Sequence, residues 1–142
     1  MTVSDQIPEP PAGFEPQVGR GPFSAHNGPY FFRRVEEGIE LAFFALPRHC
    51  NSLGLVHGGM LSTFLDGLLA NAVGRAAGGT PVTIHLSIDF LAMGRAGEWI
   101  VGEGRLTRAA RDVAFAEGRL HVAGKTIARA TGVFRLMKRR NS

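Results

Sequence analysis

The sequence predicts an α+β domain in which one long helix packs on a mostly antiparallel sheet. Three observations carry that expectation. Leu61, Phe64, Leu65, Leu68, Leu69, Ala72 and Val73 recur at three- and four-residue steps, the period of a helix with one buried face. Four segments of strand-like residues follow it in succession, separated by short turn sequences. No strand–helix–strand alternation occurs, which places the helix on a single face of the sheet.

At 142 residues the chain makes one domain with a single core. Residues 1–28 form an arm rich in proline and glycine, with Pro8, Pro10, Pro11, Pro16 and Pro22, where little regular structure is expected. Phe14, Phe23, Tyr30, Phe31 and Phe32 place its later part against the body. His26-Asn27-Gly28-Pro29 reads as a turn, either a pocket wall or a plain entry to the first strand. The domain proper is placed at 29–137 and a basic tail at 138–142. Val35–Leu46 alternates as a strand with Ile39, Leu41, Phe43 and Ala45 on one side, and Pro47 ends it. A polar loop leads into the helix, Gly58 to Ala77, which Gly78-Gly79 stops. Pro81 opens a strand with Val82, Ile84, Leu86, Ile88 and Phe90 on one face and Thr83, His85, Ser87 and Asp89 on the other. Glu98–Arg108, Asp112–Val122 and Lys125–Leu136 complete the set through hairpins at Ala109-Ala110-Arg111 and Ala123-Gly124.

Composition narrows the function classes. No apolar run is long enough to span a membrane, and the N-terminus carries no basic-then-apolar signal. The single cysteine excludes an internal disulfide and fits a reducing compartment, so a cytoplasmic address is expected. The net charge of +4 suits an anionic partner or simply solubility. Nucleic acid is disfavoured, because there is one Tyr, one Trp and no recognisable motif for it. A phosphate-bearing small molecule fits the charge as well. The five histidines show no metal-ligand spacing, and no Gly-x-Ser-x-Gly is present.

The chemistry concentrates between His49 and Asp66. Glycines at a helix start leave backbone N–H groups uncovered at the positive end of the helix dipole, where an oxygen gaining negative charge is favoured. Gly58 is therefore a candidate oxyanion donor, or a residue easing a tight turn. Asp66, two turns on and to one side of the apolar stripe, is a candidate base or nucleophile, or a solvent-facing helix residue. Asn51 either donates its amide to a substrate carbonyl or caps local backbone. His49 and Cys50 are adjacent, so a Cys–His nucleophile pair is not expected.

Asn51, Gly54, His57, Gly58, Gly59 and Asp66 together form Asn-x-x-Gly-x-x-His-Gly-Gly with an acid seven residues on. This resembles the signature of the hotdog-fold acyl-CoA thioesterases of the phenylacetate-pathway, PaaI-like type, and the similarity extends from about Val35 to Leu136. The resemblance implies a long helix wrapped by a curved sheet, and hydrolysis of an acyl-CoA thioester with no cofactor and no metal. It implies Asp66 as base or nucleophile and the Gly58 N–H as oxyanion donor. Thr83 falls where such proteins place a Ser or Thr on the water or the acid, and Asn51 ranks ahead of it. His57 is given a mainly structural role near the glycines. Gly59 and Phe90 join it around the substrate, and Arg108 and Arg111 at a hairpin turn are candidates for the CoA phosphates, with Arg95 behind them.

Two other functions stay open. A hydratase of the same fold would need a histidine five residues after the acid, but Asn71 follows Asp66 and Gly94 follows Asp89 at that spacing. A non-catalytic acyl-CoA or lipid-binding module would use the same pocket. Geometry adds one expectation. Gly58 and Asp66 are eight residues apart, roughly 12 Å along a helix at about 1.5 Å per residue, too far to serve one carbonyl together. A homodimer with sites shared between chains follows, and the resemblance implies tetramers built from two such dimers.

Overall fold

Helix α2, Gly58–Ala77, forms over the residues that the periodicity marks out, and nine of its side chains are buried. In the computed structural model, which describes residues 6–137, it lies across a seven-stranded antiparallel sheet. The strands are β1 (Glu15–Gln17), β2 (Tyr30–Val35), β3 (Gly38–Phe44), β4 (Thr80–Phe90), β5 (Trp99–Ala110), β6 (Val113–Val122) and β7 (Lys125–Met137). Their order is β1-β2-β3-β5-β6-β7-β4, and α2 packs against β3 through β7. This is the hotdog arrangement. The basic tail placed at 138–142 and residues 1–5 of the arm lie outside the described residues.

Close approach of helix and sheet depends on strand residues without side chains. A Cβ at Gly102 would sit 2.8 Å from Leu68 Cδ2, and one at Gly118 would sit 2.9 Å from Leu69 Cδ2. Leu68 and Leu69 are fully buried over this floor. Burying a leucine side chain stabilises by roughly 1.5–3 kcal/mol. Phe43, Phe64 and Phe134 fill the space beside them.

Three expectations are corrected. The arm carries regular structure, β1 and a short helix α1 (Pro22–Asn27) that begins on a proline at its first position. Proline density misled because Pro16 and Pro22 occupy positions where a ring is tolerated, an edge strand and a helix start. Phe14 is buried as expected, but Phe23 is two-thirds exposed. Second, the strand read over Val35–Leu46 starts too early: Val35 ends β2, a tight turn follows, and β3 begins at Gly38, the register partner of Val35. Both faces of β3 are covered, since Glu40 and Ala42 are buried along with Ile39, Leu41 and Phe43. Third, β4 does not alternate simply. Its register against β7 shifts between Thr83 and His85, leaving Ile84 as the extra residue of a bulge.

The arm is fixed to the body by the short 3₁₀ turn Pro47–His49. Arg48 donates to the carbonyls of His26 (2.8 Å) and Gly28, at the end of α1. His49 is buried; its Nε2–H donates to Asn27 O at 2.7 Å, and its Nδ1 accepts from Leu46 N–H at 3.0 Å. Those partners require the neutral ring. Burial, with Arg48 nearby, holds the His49 pKa below its ordinary 6.5 despite the bond to Asn27. A lowered native pKa means that the unfolded chain binds the proton first. The stabilisation is therefore complete above about 6.5 and is lost as pH falls through the lowered value. His49→Phe keeps a ring beside Phe43 but strands one donor and one acceptor, each costing roughly 1–3 kcal/mol when buried. Thermal unfolding is expected to show a lower Tm at pH 7.5 and a weaker loss of Tm between pH 7.5 and 5 than in the wild type. An unchanged pH slope would remove His49 as the titrating group.

Candidate active site

The bulge at Ile84 aims Thr83. Beyond it, Leu86, Ile88 and Phe90 pair with Gly132, Ala130 and Ala128 of β7. Thr83 pairs with Phe134, which belongs to the same helix-facing row because β7 itself alternates without interruption there. One extra residue thus moves Thr83 from the outward face, where simple alternation puts it, to the face turned toward α2. There its hydroxyl donates to Asp66 Oδ1 at 2.6 Å. Asp66 is half-buried and lines a cavity of about 110 Å³ between α2 and the arm. One carboxylate oxygen is held by that bond, and the other has no hydrogen-bond partner among the described residues.

The start of α2 sorts its two glycines. His57 is the N-cap, and its Nδ1 accepts from Gly59 N–H at 2.8 Å. A Cβ on Gly59 would stand 2.9 Å from that same Nδ1, so the cap demands glycine there. Gly58 is different. The nearest atoms to a Cβ on it are Phe90 ring carbons at 3.7 and 3.8 Å, ordinary contact. Nothing among the described residues requires glycine at 58, and the residue is exposed.

Asn51 Oδ1 accepts from Leu53 N–H (2.9 Å) and Leu55 N–H (3.2 Å), which shapes the loop and turns the side-chain NH₂ away from it. Within one chain the structure brings Thr83, and not Asn51, to Asp66, the grouping expected of a site shared between two chains. Phe90 is brought to Gly58. The Gly58–Phe90 pair and the Asp66–Thr83 pair are separated by seven or eight residues along both α2 and β4. Arg108 and Arg111 are exposed at the β5–β6 hairpin, with Arg111 at φ 58° in the turn. Arg95 is also exposed, at the loop bridged to Leu55.

Several other reactive groups are occupied, while the ring nitrogens of His121 are buried without a hydrogen-bond partner among the described residues. Burial pushes the Cys50 thiol pKa up, and Sγ donates to Leu46 O, so Cys50 stays protonated. Burial likewise pushes Tyr30 up to about 12, with Arg48 opposing. Glu40, Glu103 and His121 cluster on the sheet face turned from α2, where Arg33 binds Glu40 and Arg119 binds Glu103. The larger concavity, about 1010 Å³, opens on that same face among paired acids and arginines such as Arg105–Glu117 and Arg129–Asp89. None of Asp66, Thr83 and Gly58 lines it.

Sequence reasoning missed Gly67, Asn71 and the arm residues around the Asp66 cavity. Gly67 was visible as a glycine inside a helix with no turn to make. Asn71 was visible as a polar residue among buried neighbours; it is buried, with Nδ2 donating to Gly67 O at 2.7 Å and Oδ1 accepting from Gln17 at 3.2 Å.

The family model described as the thioesterase superfamily matches residues 53–128. A Pseudomonas aeruginosa protein named as an esterase is 36% identical over 129 residues, covering 89% of this chain and 96% of that protein. Acyl-coenzyme A thioesterase 13 of Mus musculus is 31% identical over 84 residues, 57% of this chain and 60% of that protein. The crystal structure of a phenylacetic acid degradation-related protein of Ralstonia eutropha JMP134 superposes with a TM-score of 0.74 at 30% identity, covering 83% of this chain and 92% of that one.

The two glycines should separate in experiment. Gly59→Ala displaces the His57 cap and is expected to lower stability by about 1 kcal/mol in denaturant titration. Gly58→Ala should leave stability unchanged or slightly raised, because alanine favours the helix. It should nonetheless cut thioester hydrolysis by roughly tenfold or more by covering the N–H. Equal loss of stability in both variants would assign both glycines to the fold.

Proposed function

As a chain that belongs to the thioesterase superfamily, the protein is a thioesterase, and we propose that its substrate is an acyl-CoA, hydrolysed to the free acid and CoA. The observation that carries the catalytic reading is the Thr83–Asp66 bond, a carboxylate oriented by a bulged strand at the wall of a cavity. Its free oxygen takes the proton of a water whose oxygen adds to the thioester carbonyl. The resulting oxyanion is held by the N–H of Gly58, with Asn51 offering its NH₂. Collapse breaks the C–S bond, and the thiolate leaves with the proton that Asp66 accepted. Direct attack by Asp66, followed by hydrolysis of the anhydride, uses the same residues. The name of the mouse relative supports acyl-CoA as the substrate class. Arg108 and Arg111 are assigned to the CoA phosphates.

The site is proposed to be completed by a second copy of this chain. Gly58 and Asp66 are roughly 12 Å apart on one helix at about 1.5 Å per residue, beyond joint reach of one carbonyl. β4 is the last strand of the sheet, paired only with β7 among the described residues, and Val82, Ile84, Phe90, Leu91 and Met93 are at least half exposed along it and just after it. An open edge flanked by apolar side chains suits pairing with its own two-fold mate. That pairing sets Asn51, Gly58 and Phe90 of one copy against Asp66 and Thr83 of the other. A tetramer would join two such dimers.

Thiol release from a panel of acyl-CoAs tests the activity. Asp66→Asn is expected to lower kcat by orders of magnitude with the fold intact by circular dichroism, and Thr83→Val by a smaller factor. Mixed dimers of Asp66→Ala with Asn51→Ala should regain up to one intact site each. Near-normal turnover by Asp66→Asn would remove the base, and a fully active monomer would remove the shared site. Tight binding of acyl-CoA without any thiol release would favour the binding-module reading.

A further inference from the structure

We infer that the N-terminal arm is the outer wall of the acyl subsite and restricts the enzyme to short acyl groups; this rests on the hydrolysis reading above. The cavity beside Asp66 is bounded on the α2 side by Asp66, Gly67 and Asn71, and on the arm side by Gln17, Arg20 and Phe23. Its volume is about 110 Å³. A water-sized group takes about 30 Å³, and a cavity of about 150 Å³ is known to hold benzene. With Tyr30, Leu41 and Phe64 as its apolar lining, the space is of the size of a linear tail of about four carbons, and a longer chain would have to displace the arm.

Two features of the chain preserve this space. Gly67 stands in the interior of α2, where glycine weakens a helix, yet among the described residues nothing beyond its chain neighbours and the helix's own backbone lies within 4 Å of where its Cβ would be. The fold does not require glycine at this position. Its effect is to leave the cavity wider beside the carboxylate. The wall opposite is fastened. Gln17 Nε2 donates to Asn71 Oδ1 at 3.2 Å, and that buried oxygen has no other partner among the described residues. Pairing of β1 with β2, and the Arg48 and His49 bonds to the end of α1, hold the arm on either side of Arg20 and Phe23. A wall fixed at three points sets a length limit rather than yielding to a longer chain.

The test pairs two assays over acyl lengths of two to ten carbons. One measures kcat/KM for hydrolysis of the acyl-CoAs. The other measures calorimetric affinity for S-alkyl-CoA thioethers, which cannot be hydrolysed. The wild type should peak near four carbons in both and fall by roughly tenfold or more at eight, as methylenes without space typically impose. Phe23→Ala and Gln17→Ala should raise the eight-to-four-carbon ratio by roughly tenfold. Gly67→Ala should move the limit toward shorter chains while raising Tm, a shift that loss of folding would not produce. Val18→Ala, exposed on the arm outside the cavity, should keep the wild-type profile. A wild type that prefers eight carbons or more overturns the inference, as do arm and Gly67 variants that hydrolyse with the wild-type length profile. A length limit that moves in the thioether assay without hydrolysis of any acyl-CoA upholds the wall and overturns the hydrolase reading.

Discussion

The contact on which the rest of this structure depends is that of Leu68 and Leu69 with a sheet floor stripped of side chains. Gly102, Gly104, Gly118 and Gly132 come from three neighbouring strands, and a Cβ on any of them would crowd one of those leucines at 3.1 Å or less. Helix and sheet come closer than ordinary strand residues allow, and apolar burial is concentrated where they touch. Once α2 is seated, its two ends and its flank are fixed relative to every strand. The N-terminal N–H groups, the carboxylate two turns on and the strand beside it then have no freedom to rearrange.

On that frame, one extra residue in β4 carries the chemical consequence. The strand keeps Leu86 and Ile88 on the core, and the bulge brings Thr83 onto the same face, where it meets Asp66. A threonine there holds one carboxylate oxygen by a short bond and leaves the other available. The same strand ends at Phe90 beside Gly58. Both halves of the proposed machinery thus sit on one helix and one strand, rigidly held but too far apart to act together in one copy. Their separation and the open apolar edge of β4 are two faces of the same geometry.

The arm shows how a proline-rich segment is ordered by backbone bonds more than by burial. Arg48 and His49 reach three carbonyls at the end of α1, and Gln17 reaches Asn71 across the cavity. Among the described residues, the positive charge on the outer sheet face is largely paired. There Arg33, Arg105, Arg119 and Arg129 each meet a carboxylate, while Arg108 and Arg111 stand exposed at their hairpin.

By itself the sequence determined the α+β class, the helix Gly58–Ala77 and its glycine stop, and the three C-terminal strands with their hairpins, because periodicity and turn residues are local properties. The positions of Gly58 at the helix start, of His57 beside the glycines and of Asp66 on the flank of the apolar stripe were legible too, from the helical period and the glycine pair, while the roles proposed for Asp66 and Gly58 came from the chemistry of those positions and from the resemblance. What only the tertiary structure decided was parity, closeness and long-range bonding. Thr83 faces Asp66 because of a register shift against β7, and a register exists only between two strands. Gly58 and Gly59 look alike in sequence, and only the position of the His57 ring separates them. The arm becomes a wall only when Gln17, His26, Asn27 and Gly28 find partners more than 15 residues away. Hydrogen bonds of that kind leave no period in a sequence, because the chain between the partners is free to vary.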